Sequence, residues 1–128
     1  MAVEIMLDKT DNLFVIKISG DTDAKTVADA YASAFQQADY DPEMSAMWDI
    51  CDTRLAHFSM TEVRELTRLV GQHSKQRGKD YKVAIATNTK SDYHLLKIYS
   101  TFFRLAGSFR MKVFSDPQLA REWIIREN

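Results

Sequence analysis

Tyr81-Lys82-Val83-Ala84-Ile85-Ala86-Thr87-Asn88 is followed by a long aromatic-rich stretch, and then by Met111-Lys112-Val113-Phe114-Ser115-Asp116-Pro117 leading into Leu119-Ala120-Arg121-Glu122-Trp123-Ile124. Val83 to Ala86 contains no polar residue, the composition of a parallel strand covered on both faces. The intervening residues repeat apolar positions at helical spacing from about Asp92 to Ala106, opened by Ser91-Asp92 and closed by Gly107. Met111 to Phe114 reads as a second strand. Ser115-Asp116-Pro117-Gln118 combines a cap with proline in the first turn, so a final helix follows. Two strands joined through a helix require a crossover, so they run parallel.

Upstream the same grammar continues. Val3, Ile5 and Leu7 alternate with Glu4, Met6 and Asp8, the period of a strand with one buried face. Asp8 to Asn12 is turn chemistry, and Leu13 to Ile18 is a second strand rich in β-branched residues. A link this short makes the pair antiparallel. Gly20 ends the strand, and Asp21 to Asp23 offers caps for a helix from about Ala24 to Ala38, with Val27, Tyr31, Ala34, Phe35 and Ala38 on its inner face. A loop with Pro42 leads to a strand over Ala46 to Cys51. Ser59-Met60-Thr61-Glu62 has the form of a capping box for a helix to about Arg77, stopped by Gly78. The expected fold is α/β: one domain over 1–128, a mixed five-stranded sheet and four helices in the order β-β-α-β-α-β-α-β-α.

The bulk numbers fit that size. The chain has 128 residues, 45% hydrophobic and 27% charged, with 17 basic and 18 acidic side chains. A net charge of -1 supplies no global field for nucleic acid, so no nucleic-acid partner is expected. A single cysteine, Cys51, excludes an internal disulfide framework and fits a reducing compartment. Neither a secretion signal nor an apolar run of roughly 18 residues is present, so the expected location is cytoplasmic, with peripheral membrane contact through one helix.

That helix is the one over Asp92 to Ala106. Leu95, Leu96, Ile98, Tyr99, Phe102, Phe103, Leu105 and Ala106 cover about half its circumference, wider than the roughly 100° stripe one sheet requires. His94, Lys97, Thr101 and Arg104 lie opposite, and no acid follows Asp92. Excess apolar surface beside cations suits a homodimer interface, a membrane surface or the wall of an apolar pocket, with Leu95, Tyr99, Phe102, Phe103, Lys97 and Arg104 as contact residues. The same composition also describes a large helix filling a large core.

Other candidates are fainter. In parallel sheets ligands gather at strand C-termini, near helix amides that favour anions. Arg54, Asn88 and Ser91 would form such an anion rim, with Asp52, His57, Thr87, Lys90 and Tyr93 nearby. Ser59 and Ser91 are equally explained as helix caps. Ser59 or Thr61 is a candidate phosphosite, since a phosphate at a helix start is favourable. Cys51 could act as a nucleophile only with a base such as His57 or His94, and no spacing requires that. The histidines at 57, 73 and 94 lack companions at metal-site spacing. No catalytic residue, metal or cofactor is expected.

The element order, Trp48-Asp49-Ile50-Cys51-Asp52, Lys82-Val83-Ala84-Ile85, and Val113-Phe114-Ser115-Asp116 before Leu119-Ala120-Arg121-Glu122-Trp123-Ile124 together resemble the SpoIIAA-like family within the STAS domains. The resemblance covers nearly the whole chain. It implies a small, often dimeric α/β module without known enzymatic activity, and some relatives of this kind hold apolar or lipid-like ligands. It also implies an alternative: a regulator of the anti-sigma-factor-antagonist type, phosphorylated on a serine of an Asp-Ser-Ser-Gly-like motif at the start of the second helix. Phe58-Ser59-Met60-Thr61-Glu62-Val63 stands there, without the acid, the serine pair or the glycine.

Overall fold

The computed structural model describes residues 2–21, 23–54, 61, 62, 64, 65, 68, 69, 72, 81–104 and 109–126, excluding the side chains of Ala2, Arg54, Tyr99, Phe102, Phe103, Arg104 and Phe109. Five strands, β1 (Ala2–Asp8), β2 (Leu13–Asp21), β3 (Ser45–Arg54), β4 (Tyr81–Ala86) and β5 (Phe109–Phe114), form one sheet in sequence order. β1 pairs antiparallel with β2, and every other neighbouring pair is parallel. The helices are α1 (Ala24–Phe35), α2 (Lys90–Arg104) and α3 (Pro117–Arg126). The expectation of four helices is therefore met by three among the described residues. Of the helix expected over 59–77, Thr61, Glu62, Arg64, Glu65, Arg68, Leu69 and Gln72 are described and helical. Its proposed capping residue Ser59 lies outside the described residues.

Sequence chemistry accounts for the joints. Asp8 accepts the main-chain amide of Asp11 at 3.1 Å, and Asn12 takes the left-handed conformation with φ 54, which asparagine tolerates. Gly20 sits at φ 81 near the end of β2, just past the register shift between β2 and β3 at Lys17–Ser19. Asp23 caps α1 by accepting from Thr26 N at 2.8 Å. The helix ends at Phe35, earlier than Ala38, because Gln36 closes it and Tyr40 turns back beside Phe35, ring centres 5.0 Å apart. Ala38 is exposed in the following turn.

Pleating divides the sheet into two packed faces. Phe14, Ile16, Ile18, Trp48, Ile50, Val83, Ile85, Met111 and Val113 point to the face covered by α1 and α2. Ala24, Ala28 and Ala34 bring α1 close to the sheet, and Tyr31 stacks against Trp48 at 5.9 Å. Complete burial of Phe14, Ile16 and Ile18 contributes about 1.5–3 kcal/mol each. The opposite face, Leu13, Met47, Ala84 and Ala86, is covered by Ala120 and Ile124 of α3. β4 is buried at every position, Lys82 included. α3 packs on β3, β4 and β5, and its Arg121 reaches Asp8 and Asp11 at the β1–β2 turn.

Candidate functional site

The surface best placed to act is the outer side of α2. Thr89 caps this helix: its hydroxyl accepts from Asp92 N at 3.2 Å and its carbonyl from Tyr93 N at 3.0 Å. The cap expected at Ser91 is thus two residues earlier, and Ser91 lies exposed in the first turn. Asp92, Leu96 and Ser100, spaced four apart, form the buried stripe, while Tyr93 and Leu95 pack partly on the core.

Every described exposed residue of α2 is basic, neutral or apolar: Lys90, Ser91, His94, Lys97, Ile98 and Thr101. The one acid, Asp92, is buried. Ile98, one of the residues of the over-wide apolar half, is 56% exposed and stands beside Lys97. The Lys97 ammonium lies 5.1 Å from the Tyr93 ring centre, a contact that holds its charge against the helix. Of the expected contact residues, Leu95 is half-buried and Lys97 exposed. The side chains of Tyr99, Phe102, Phe103 and Arg104 lie outside the described residues.

The rim at the strand C-termini is only partly assembled. Asn88 and Ser91 are exposed after β4, and the backbone of Arg54 ends the neighbouring β3. Between them Thr87 and Asp92 are buried, with Thr87 Oγ1 and Asp92 Oδ2 lacking hydrogen-bond partners among the described residues. His57, His73 and Ser59 lie outside the described residues, and Thr61 is exposed. Asp52 lies 3.7 Å from Lys17.

Cys51 is poorly suited to nucleophilic chemistry. Burial, reinforced by a hydrogen bond with Asp49 and by the negative charges of Asp49, Asp52 and Asp116, pushes its thiol up to about 12. At neutral pH it is a protonated hydrophobe on the α3 side of the sheet. Among the described residues, no cluster of three or more His, Cys, Asp or Glu is arranged to hold a metal ion.

One feature was hidden from sequence reasoning. At the opposite end of the strands, Asp11, Glu43, Ser45, Tyr81, Lys82 and Arg110 help line an open cleft of about 500 Å³. Lys82 and Arg110 are register partners on β4 and β5. Lys82 Nζ is only 3.0 Å from Ile124 O, so its charge is engaged by the end of α3 rather than offered whole to the cleft. A lysine inside an otherwise apolar strand was the available signal.

No family model and no curated protein matches the sequence. A solved structure does: an uncharacterized protein of the DUF3478 family from Shewanella loihica PV-4, described as having a SpoIIAA-like fold. It is 21% identical, superposes with a TM-score of 0.61, and the match covers 96% of this chain and 92% of that one. At this identity the likeness speaks to architecture. With its five-stranded mixed sheet in sequence order and helices on both faces, the chain has a SpoIIAA-like fold.

Proposed function

We propose that the protein is a non-catalytic interaction module that presents the outer face of α2 to an anionic, lipid-like surface. The observation that carries this reading is the acid-free exposed face in which Ile98 projects beside Lys97. A cation near an anionic bilayer contributes about 1 kcal/mol, and burying an isoleucine side chain about 2 kcal/mol. Lys90, Lys97 and Ile98 together therefore suit weak, reversible, peripheral binding. No helix of the described residues is long and apolar enough to cross a membrane.

Flotation with vesicles rich in anionic lipid tests the proposal. Wild-type protein should float with them, and Ile98→Asp and Lys97→Glu should each reduce the bound fraction about tenfold. Absence of binding by the wild type, or equal binding by both variants, overturns it. Mass spectrometry of organic extracts would report an apolar ligand retained by the protein.

A second reading draws on Thr61, exposed in a helical stretch with the exposed Arg64 one turn later. A phosphate on Thr61 would meet that guanidinium, giving a regulatory module of the anti-sigma-factor-antagonist kind. Label incorporation from cell extract that disappears in the double variant Ser59→Ala, Thr61→Ala supports this reading; a wild type that takes up no label removes it.

A further inference from the structure

The two edges of the sheet differ in their defences. β5 carries the exposed cations Arg110 and Lys112 and is packed by helices on both faces. Charged side chains of this kind are how natural sheets prevent edge-to-edge pairing. β1 carries one exposed charge, Glu4, and no exposed cation. Its seven residues pair with β2 in unbroken register, without a bulge or a proline, and among the described residues it pairs on one side only. Its apolar residues emerge on both faces: Val3 is 38% exposed and Met6 59% exposed, while Ile5 and Leu7 are half-buried. Its last acid, Asp8, is held by Arg121 of α3.

We propose that β1 is a homodimer interface, pairing antiparallel with β1 of a second copy about a twofold axis through Ile5. Register selects this arrangement. Residues directly opposite one another share a face, so the pairing can shift only in steps that keep faces matched. Centred on Ile5, Val3 faces Leu7 of the second copy, Ile5 faces Ile5, and Glu4 faces Met6. Centring on Glu4 would put Glu4 against Glu4, and centring on Met6 would put Glu4 against Asp8. Like charges directly opposite are destabilising, so only the Ile5-centred pairing combines a long overlap with no facing acids. Parallel pairing in register would again align Glu4 with Glu4, and it forms no closed pair.

The product is a continuous ten-stranded sheet. Its Val3–Ile5–Leu7 row extends the apolar face under α1 across the twofold axis. That axis stands perpendicular to the sheet, so both α2 helices lie on the same side of the dimer. The interface is independent of the α2 surface invoked above, and either can fail without the other.

Light scattering after chromatography, at high protein concentration, gives the first test. Wild type should elute as a dimer, Val3→Lys as a folded monomer by circular dichroism, and Ile98→Asp still as a dimer. A monomeric wild type overturns the proposal, as does a dimer that survives Val3→Lys. Register is tested in a Cys51→Ser background, which keeps the proposal falsifiable should Val3→Lys fail to fold. An oxidised mixture of Glu4→Cys and Met6→Cys proteins should crosslink, and each protein alone should not. Crosslinking absent from the mixture, or equal in the single proteins, refutes the pairing.

Discussion

Lys82 ties the last helix to the centre of the sheet through Trp123: its ammonium donates to the Trp123 carbonyl at 3.1 Å and lies 5.5 Å from the centre of the same residue's indole ring. The carbonyl of Ile124 accepts a further bond at 3.0 Å. These oxygens belong to the last turns of α3, where carbonyls lack partners within the helix and the dipole favours a cation. A buried charge in β4 thereby becomes a helix cap.

Replacing Lys82 by Met keeps the volume and removes the donor, leaving two carbonyls unsatisfied. The expected loss is about 2 kcal/mol of unfolding free energy, read as a lower urea midpoint with unchanged slope. An unshifted midpoint would show that the ammonium contributes nothing net.

Asp8 predicts an acid-sensitive contribution to stability. The Asp11 main-chain amide and then the Arg121 guanidinium hold its carboxyl below the ordinary value of 3.8. A folded value below the unfolded one contributes stability above 3.8, which is lost as pH falls through the folded value. Wild type should therefore be more stable than Asp8→Asn near neutrality, with the two converging below 3.8. Parallel stability curves across that range would contradict the assignment.

Cys51 titrates in the opposite sense. Its thiol is raised from 9.0 to about 12, so the folded state gains relative stability below 9.0 and loses it as pH rises through about 12. The native thiol should react negligibly with iodoacetamide near neutral pH and readily once urea unfolds the chain. Rapid native labelling would mean an ionised, accessible sulfur.

Thr87 offers a stabilising substitution. Its side-chain hydroxyl is buried and has no partner among the described residues, and a buried hydroxyl without a bond costs about 1–3 kcal/mol. Thr87→Val should match or exceed wild type in thermal unfolding. Destabilisation by about 1 kcal/mol would reveal a bond made by the hydroxyl.

Much of the architecture was legible because pattern and packing agree. Phe14, Ile16 and Ile18 alternate in sequence and sit together under α1, and Pro117 follows Asp116, which accepts from Gln118 N at 2.8 Å. Errors arose where two local solutions compete. Thr89 and Ser91 are both acceptable caps, and the choice depends on Asp92 turning inward. Ile98 belongs to an apolar half wider than one sheet covers, and a helical projection does not say which of its residues stay outside; Leu96 and Ser100 define the buried stripe. The role of Lys82 was illegible for another reason. Its partners are main-chain carbonyls some forty positions away, and main-chain oxygens leave no mark in a sequence.

The division of helices between the two faces has a consequence for biogenesis. Met47, Ala84 and Ala86 can be made early in synthesis, yet their cover, Ala120 and Ile124, emerges from the ribosome only after β5. Until then that side of the nascent sheet stays wet, and the Lys82 ammonium awaits its carbonyls. Docking of α3 is therefore the event that seals this face, and a chain cut before Pro117 would present Met47, Ala84 and Ala86 as an adhesive side.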